Sequence, residues 1–147
     1  MLKVIGIILT VAVSSAVGLR AAARLTARYK KLQSFCAFID EIADRMRLGE
    51  ELERIYKSPA AKGLLLSEGY NAAVIREGIT NEDADMLDGF FKTLGMGDTE
   101  SCVSRCTLFS EIVKKEAAKA ENEMNSKSRL YSLLGLLGGI FIAIILI

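Results

Sequence analysis

Gly95-Met96-Gly97-Asp98 is the stretch of this chain whose residue types and spacing point first to chemistry. A Gly-x-Gly-Asp tetrapeptide carries one of the two catalytic aspartates of intramembrane aspartyl proteases. That chemistry needs two carboxylates that face each other and share a proton, one acting as base and the other as acid. The apolar runs of the chain, Val4–Leu19 and Leu133–Ile147, hold no Asp or Glu, and Asp98 lies far from both in a polar setting. The partner carboxylate is missing, so the tetrapeptide reads as a turn between two helices. On that reading Gly95 takes the left-handed conformation that stops a helix. Gly97 frees the turn, and Asp98 accepts hydrogen bonds from the unpaired N–H groups of the next helix.

Other candidate chemistry is sparse. The chain has no histidine, the commonest general base and metal ligand. Cys102 and Cys106 are four apart on one helical face, and Cys36 is distant. Two thiolates do not make a zinc site, which takes about four ligands, and these cysteines read as small apolar core residues without a disulfide framework. There is no P-loop and no dinucleotide fingerprint. The expectation is therefore no catalytic residue, no metal, no cofactor and no small-molecule substrate. Two acidic clusters remain, Glu50, Glu51 and Glu53, then Glu82, Asp83, Asp85 and Asp88. They form either a solvated helix face or a docking surface for a basic protein partner. Residues 32–126 carry 11 basic and 18 acidic side chains, which disfavours nucleic acid.

The elements that position these groups follow from charge segregation. Leu133–Ile147 has no charge, and eleven of its residues are Leu, Ile or Phe. At roughly −0.3 to −0.6 kcal/mol each they favour a bilayer by about 3–7 kcal/mol. Extended back to Leu130, the run is just long enough to span. The N-terminal run, broken by Thr10, Ser14 and Ser15, reads as a second span or as a signal peptide with Lys3 before it and Ser14-Ser15-Ala16 as the cleavage site. A basic collar of Arg20, Arg24, Arg28, Lys30 and Lys31 follows it, and Lys127 and Arg129 precede the C-terminal run. Positive charge stays on the cytoplasmic side. The expected topology is a hairpin with spans at 2–19 and 130–147, both termini outside and residues 20–129 in the cytoplasm. The collars would meet anionic lipid headgroups. Gly6, Thr10, Ser14 and Gly18 share one helix face, as do Gly135, Gly139 and Ala143. Small residues at this spacing let helices approach closely in lipid, within one chain or between copies.

The middle reads as all-α. Leu32, Phe35, Cys36, Ile39, Ile42, Ala43 and Met46 form a helical stripe that Gly49 ends. Glu50–Lys57 is a short helix, and Ser58-Pro59 is an N-cap with proline at the first helical position. Short helices follow near Ala60–Ser67 and Asn71–Glu77. Thr80 or Asn81 caps a helix whose apolar face is Met86, Leu87, Phe90, Phe91 and Leu94. Beyond the turn, Thr99–Arg129 is one long helix with Cys102, Cys106, Phe109, Val113, Ala117, Ala120 and Met124 inward.

Three stretches together resemble the stage III sporulation protein AB family. They are the start, MLKVIGIILTVAVSSAVG, then LGMGD at Leu94–Asp98, and the close, SRLYSLLGLLGGIFIAIILI from Ser128. The chain departs from the family at Gly97, which replaces a small hydroxyl residue, and at Cys102, where a glutamine is expected. The part between Gly49 and Thr80 is short and lacks tryptophan. The resemblance implies a cytoplasmic helical bundle similar to the inner-membrane platform protein of type II secretion and type IV pilus systems. It also implies a role in endospore formation as a non-enzymatic scaffold of a secretion-like channel complex. The site would be the mother-cell membrane around the forespore, with a secretion-type ATPase and other channel proteins as partners. A membrane adaptor that recruits a single cytoplasmic partner is the competing expectation.

Overall fold

Helix-forming stripes, caps and breakers set six α-helices among the described residues of a computed structural model. It describes residues 2–64, 66 and 71–146, with backbone alone for residues 2–8, 10, 11, 72, 74, 143, 145 and 146. The elements are α1 (Leu2–Arg47), α2 (Leu52–Ile55), α3 (Pro59–Gly63), α4 (Ala72–Arg76), α5 (Asn81–Thr93) and α6 (Thr99–Leu146). No strand occurs among the described residues. The expected Glu50–Lys57 helix contracts to a single turn. Glu51 takes an extended conformation with no side-chain cap, so nothing holds an earlier start. The long helix after the turn begins at Thr99 and continues through Arg129 to Leu146.

The chain divides into two compact units. One is Arg28–Lys119; the other joins Met1–Ala27 to Ala120–Ile147. Residues 20–27 and 120–129, assigned from sequence to the middle domain, thus group with the apolar ends. In the Arg28–Lys119 unit, Phe35, Phe38, Ile39 and Ile42 of α1 are fully buried, with Leu87 of α5 and Cys106 and Val113 of α6. Phe90 stacks on Phe109 with centroids 4.2 Å apart, and Phe35 and Phe38 both reach Phe91. Each such side chain contributes about 1.5–3 kcal/mol by burial.

The caps are local and legible. Ser58 Oγ accepts from Ala61 N–H at 3.2 Å ahead of Pro59. Asn71 Oδ1 accepts from Ala73 N–H at 3.0 Å. Thr80, not Asn81, caps α5, and it does so reciprocally. Thr80 Oγ1 accepts from Asp83 N–H at 3.2 Å, and Asp83 Oδ2 accepts from Thr80 N–H at 3.3 Å.

Candidate functional site

The Gly-x-Gly-Asp segment folds as a locked turn. Gly95 has φ 89° and Gly97 φ 97°, a region that side chains strain to occupy. Asp98 Oδ2 accepts from Ser101 N–H at 3.1 Å, and the Ser101 hydroxyl donates to Oδ1 at 2.6 Å. These bonds, the hydroxyl first and then backbone N–H groups, hold the Asp98 carboxyl below its ordinary range. Arg105 crosses the turn, donating to the carbonyls of Thr93, Met96 and Ser101. Both carboxylate oxygens of Asp98 are thus engaged in capping, and each of the turn's special residues has a structural job.

The thiols are equally committed. Cys102 Sγ accepts from Gly95 N–H at 3.3 Å, and Cys36 Sγ faces Ser110 Oγ at 3.6 Å. All three cysteines are free and buried. Burial, with the Cys102 sulfur adding to it, pushes the Cys106 thiol up to about 11. Burial likewise raises Tyr56 to about 12. A thiol so raised supplies little thiolate at neutral pH. Ser110 is closed off at 1% exposure and donates to Asp40, which also faces Lys114 Nζ at 3.4 Å. Groups of three or more His, Cys, Asp or Glu placed to hold a metal do not occur among the described residues.

The acidic surface expected from sequence needs one correction. Asp83 is not on it. Its side chain is 3% exposed and clamps Arg28, Nε to Oδ2 at 2.7 Å and Nη2 to Oδ1 at 3.1 Å. Burial alone would raise its pKa; the Arg28 and Thr80 hydrogen bonds and the Arg28 charge outweigh that and leave it lowered. Position 83 faces inward because α5 must bury Leu87 and Phe90, one and two turns further on the same face. The other acidic residues divide by position. Asp85 pairs with Arg76 and Asp88 with Lys92, each at 2.7 Å, while Glu82 is exposed. Glu50 shares Arg45 with Glu41, and Glu51 and Glu53 are exposed.

Grooves open where α1 ends and α6 begins, and Glu50 and Glu51 border two of them. Met46, Arg47, Glu100, Val103 and Leu108 line one of about 640 Å³. Gly49, Leu52, Gly97 and Asp98 line a second of about 330 Å³, which shares Met46 and Thr99 with the first. Leu48 and Arg54 edge a third with the three glutamates. The interactions that sequence reasoning missed are the Arg28–Asp83 clamp and the Arg105 brace. Only the spacing of Asp83 from Thr80 hinted at the first; nothing signalled the second.

In the unit of the two chain ends, small residues bring α1 and α6 together. Ser14 Oγ donates to the Gly135 carbonyl at 2.8 Å. A Cβ on Gly18 would lie 2.6 Å from the Tyr131 oxygen and 3.2 Å from Gly135 Cα. Gly139 is buried, while Leu9, Val13 and Val17 of α1 and Leu134, Leu137 and Phe141 of α6 point outward. Gly6, Thr10 and Ala143, which the four-residue spacing adds to this face, lie outside the residues whose surroundings are described. Among the described residues no helix is long and apolar enough to cross a membrane; side-chain description of the two runs starts at Leu9 and stops at Ile144. Of the five collar residues two are spent elsewhere. Arg28 holds Asp83, and Lys31 donates to the Glu77 carbonyl, its pKa lowered by burial.

The fold and these sites define an all-α protein with a filled helical core, a braced turn and a close-packed pair of apolar helix ends. The family model of stage III sporulation protein AB matches residues 63–147, more than half of the chain. The chain belongs to that family, and membership implies a role in sporulation. No curated protein and no solved structure matches it.

Proposed function

We propose that this protein is a non-enzymatic scaffold of a sporulation-associated, secretion-like channel complex. It is held in the membrane by a hairpin of its two chain ends. The observation that carries this reading is the inside-out pattern of the terminal pair. Small residues face each other across α1 and α6 and large apolar side chains face outward. In water such a pair would expose its apolar surface; in lipid the pattern is the stable one. The Arg20, Arg24, Lys127 and Arg129 side chains beside it are exposed and suited to anionic headgroups. The structural commitments of Asp98, Ser110 and the thiols favour a binding role over catalysis. The resemblance to secretion platform proteins supports a mother-cell membrane location around the forespore, with residues 20–129 in the cytoplasm. There a secretion-type ATPase and other channel proteins are the partners.

Topology tests this directly. Single reporter cysteines are placed at each terminus and at exposed Glu82 (Glu82→Cys), the native thiols being buried. Intact non-sporulating cells that express the protein, whose membrane faces the medium, are then treated with a membrane-impermeant maleimide. Labelling of the termini alone, with position 82 reacting only after permeabilisation, is the expected result. Labelling of position 82 on intact cells overturns the cytoplasmic assignment and with it the ATPase contact.

A further inference from the structure

Four large apolar side chains of the Arg28–Lys119 unit are exposed among the described residues: Leu48 at 81%, Met96 at 62%, Leu108 at 67% and Ile112 at 47%. They are not scattered. Leu48 follows the last turn of α1, Met96 sits between the two glycines of the braced turn, and Leu108 and Ile112 stand one turn apart on α6. Arg47 on α1 reaches Thr107 on α6 at 3.4 Å, which puts the end of α1 beside Leu108. Leu48 and Leu108 each line a groove at this end of the unit. The core elsewhere buries its large apolar residues, so this exposure is local.

The rim around these residues is negative. Residues 40–57 and 94–112 carry nine acidic and five basic side chains, and Lys114 of α6 pairs with two of the nine, Asp40 and Glu111. Three of those five cations are occupied: Arg45 by Glu41 and Glu50, Arg47 by Asp44, and Arg105 by backbone carbonyls. Glu51, Glu53 and Glu100 are exposed and make no ion pair among the described residues. A second copy of the chain would set this rim against its like, which repels. Nucleic acid and anionic lipid are repelled for the same reason.

We infer that this end of the helical unit docks a basic amphipathic helix of a protein partner. Leu or Ile side chains of that helix at i, i+3, i+4 and i+7 would enter the grooves beside Leu48 and Leu108. Its Lys or Arg residues would meet Glu51, Glu53 and Glu100. The inference rests on the scaffold reading and names the chemistry of the partner contact.

The test uses the full chain in phosphatidylcholine nanodiscs and two synthetic helical peptides. One has Leu at those spacings with Lys elsewhere; the other has Glu in place of every Lys. Binding is read by fluorescence anisotropy with empty discs subtracted. The Lys peptide binds the wild type, and the Glu peptide does not. Paired Leu48→Ser and Leu108→Ser changes, or Glu51→Lys, Glu53→Lys and Glu100→Lys together, weaken the Lys peptide at least tenfold. All five positions are exposed, so the fold is retained, and circular dichroism checks it. Equal binding of both peptides, or affinity unmoved by either set of changes, overturns the inference. So does a wild-type dimer in sedimentation that Leu108→Ser dissolves, because the face then belongs to a second copy. Failure of peptide binding with position 82 shielded in intact cells sinks the docking face alone. Outside labelling of position 82 sinks the membrane arrangement and leaves the peptide result standing.

Discussion

Replacing Asp83 by alanine should be among the most damaging single changes at a charged position of this chain. The Asp83 side chain is 3% exposed and its partner Arg28 is 16% exposed. Breaking a fully buried pair costs about 3–5 kcal/mol, because the remaining charge is left uncompensated. Arg28 keeps a route to water, which brings the figure down to about 2–4 kcal/mol. Losing the back-bond to Thr80 N–H adds about 0.5 kcal/mol. The expected total is about 3 kcal/mol, measured by urea unfolding of the full chain in detergent followed by far-ultraviolet circular dichroism. Arg28→Met should cost a similar amount, and the double variant should cost about 2 kcal/mol less than the sum, since no stranded charge remains. Additivity within about 0.5 kcal/mol would falsify the clamp. The pH dependence carries its own sign. The folded pKa of Asp83 lies below its ordinary 3.8, so as pH falls the unfolded chain takes up the proton first. The clamp's contribution is present in full above 3.8 and is lost as pH falls through the lower folded value. The stability gap between wild type and Asp83→Asn should therefore be flat from neutral pH to about 5 and close below 3.8. A gap that instead grows on acidification would contradict the assignment.

Two other changes separate the remaining structural arguments. At Gly18 a Cβ meets the Tyr131 carbonyl at 2.6 Å, a backbone atom with little room to move. Gly18→Leu should cost about 1–3 kcal/mol by overpacking, read as a lower melting temperature in nanodiscs. Gly138→Ala, whose Cβ would sit 3.7 Å from Ser14 Oγ, should change little; equal effects at both positions would argue against the close approach. Asp98→Ala should lower the melting temperature by removing the cap, while Asp98→Asn, which keeps an acceptor for Ser101 N–H, should be near neutral in both melting and sporulation efficiency. Loss of sporulation in Asp98→Asn with melting unchanged would restore a chemical role to that carboxylate.

What was legible in the sequence was whatever is encoded by neighbours. Ser58-Pro59, Thr80 with Asp83 three residues on, and Gly95 with Gly97 announce caps and a turn within a few positions. The period of Phe35, Ile39 and Ile42 gives the buried face of α1 directly. Interactions between residues distant along the chain were not legible. Asp83 looked like one more solvated carboxylate in a run of four, because its partner Arg28 lies 55 residues away. Arg28 in turn looked like one more collar residue. Arg105 carried no signal, since its work is to collect carbonyls of a turn that exists only after folding. The small-residue stripes gave the contact faces of Ser14, Gly18 and Gly135 but left open whether they meet within the chain; the Ser14–Gly135 hydrogen bond shows that contact within it.

The distribution of structural duties narrows where function resides. Asp98, Ser101 and Arg105 hold the turn; Cys36, Cys102 and Cys106 fill the core; Thr80, Asp83 and Arg28 fasten α5 to α1. Asp98, Cys36, Cys102 and Asp83 are each accounted for by a bond made inside the fold, and Cys106 by its burial. Leu48, Met96, Leu108 and Ile112 have no such account: Ile112 is 47% exposed and Leu48 81%, and each is large enough to be worth about 1.5–3 kcal/mol if fully buried. Leaving them uncovered confers no stability on the isolated chain. The brace at Arg105 holds the Met96 backbone in the same turn that Asp98 caps, while the Met96 side chain is exposed. An apolar end rimmed by the exposed carboxylates of Glu51, Glu53 and Glu100 is the feature the proposed docking rests on.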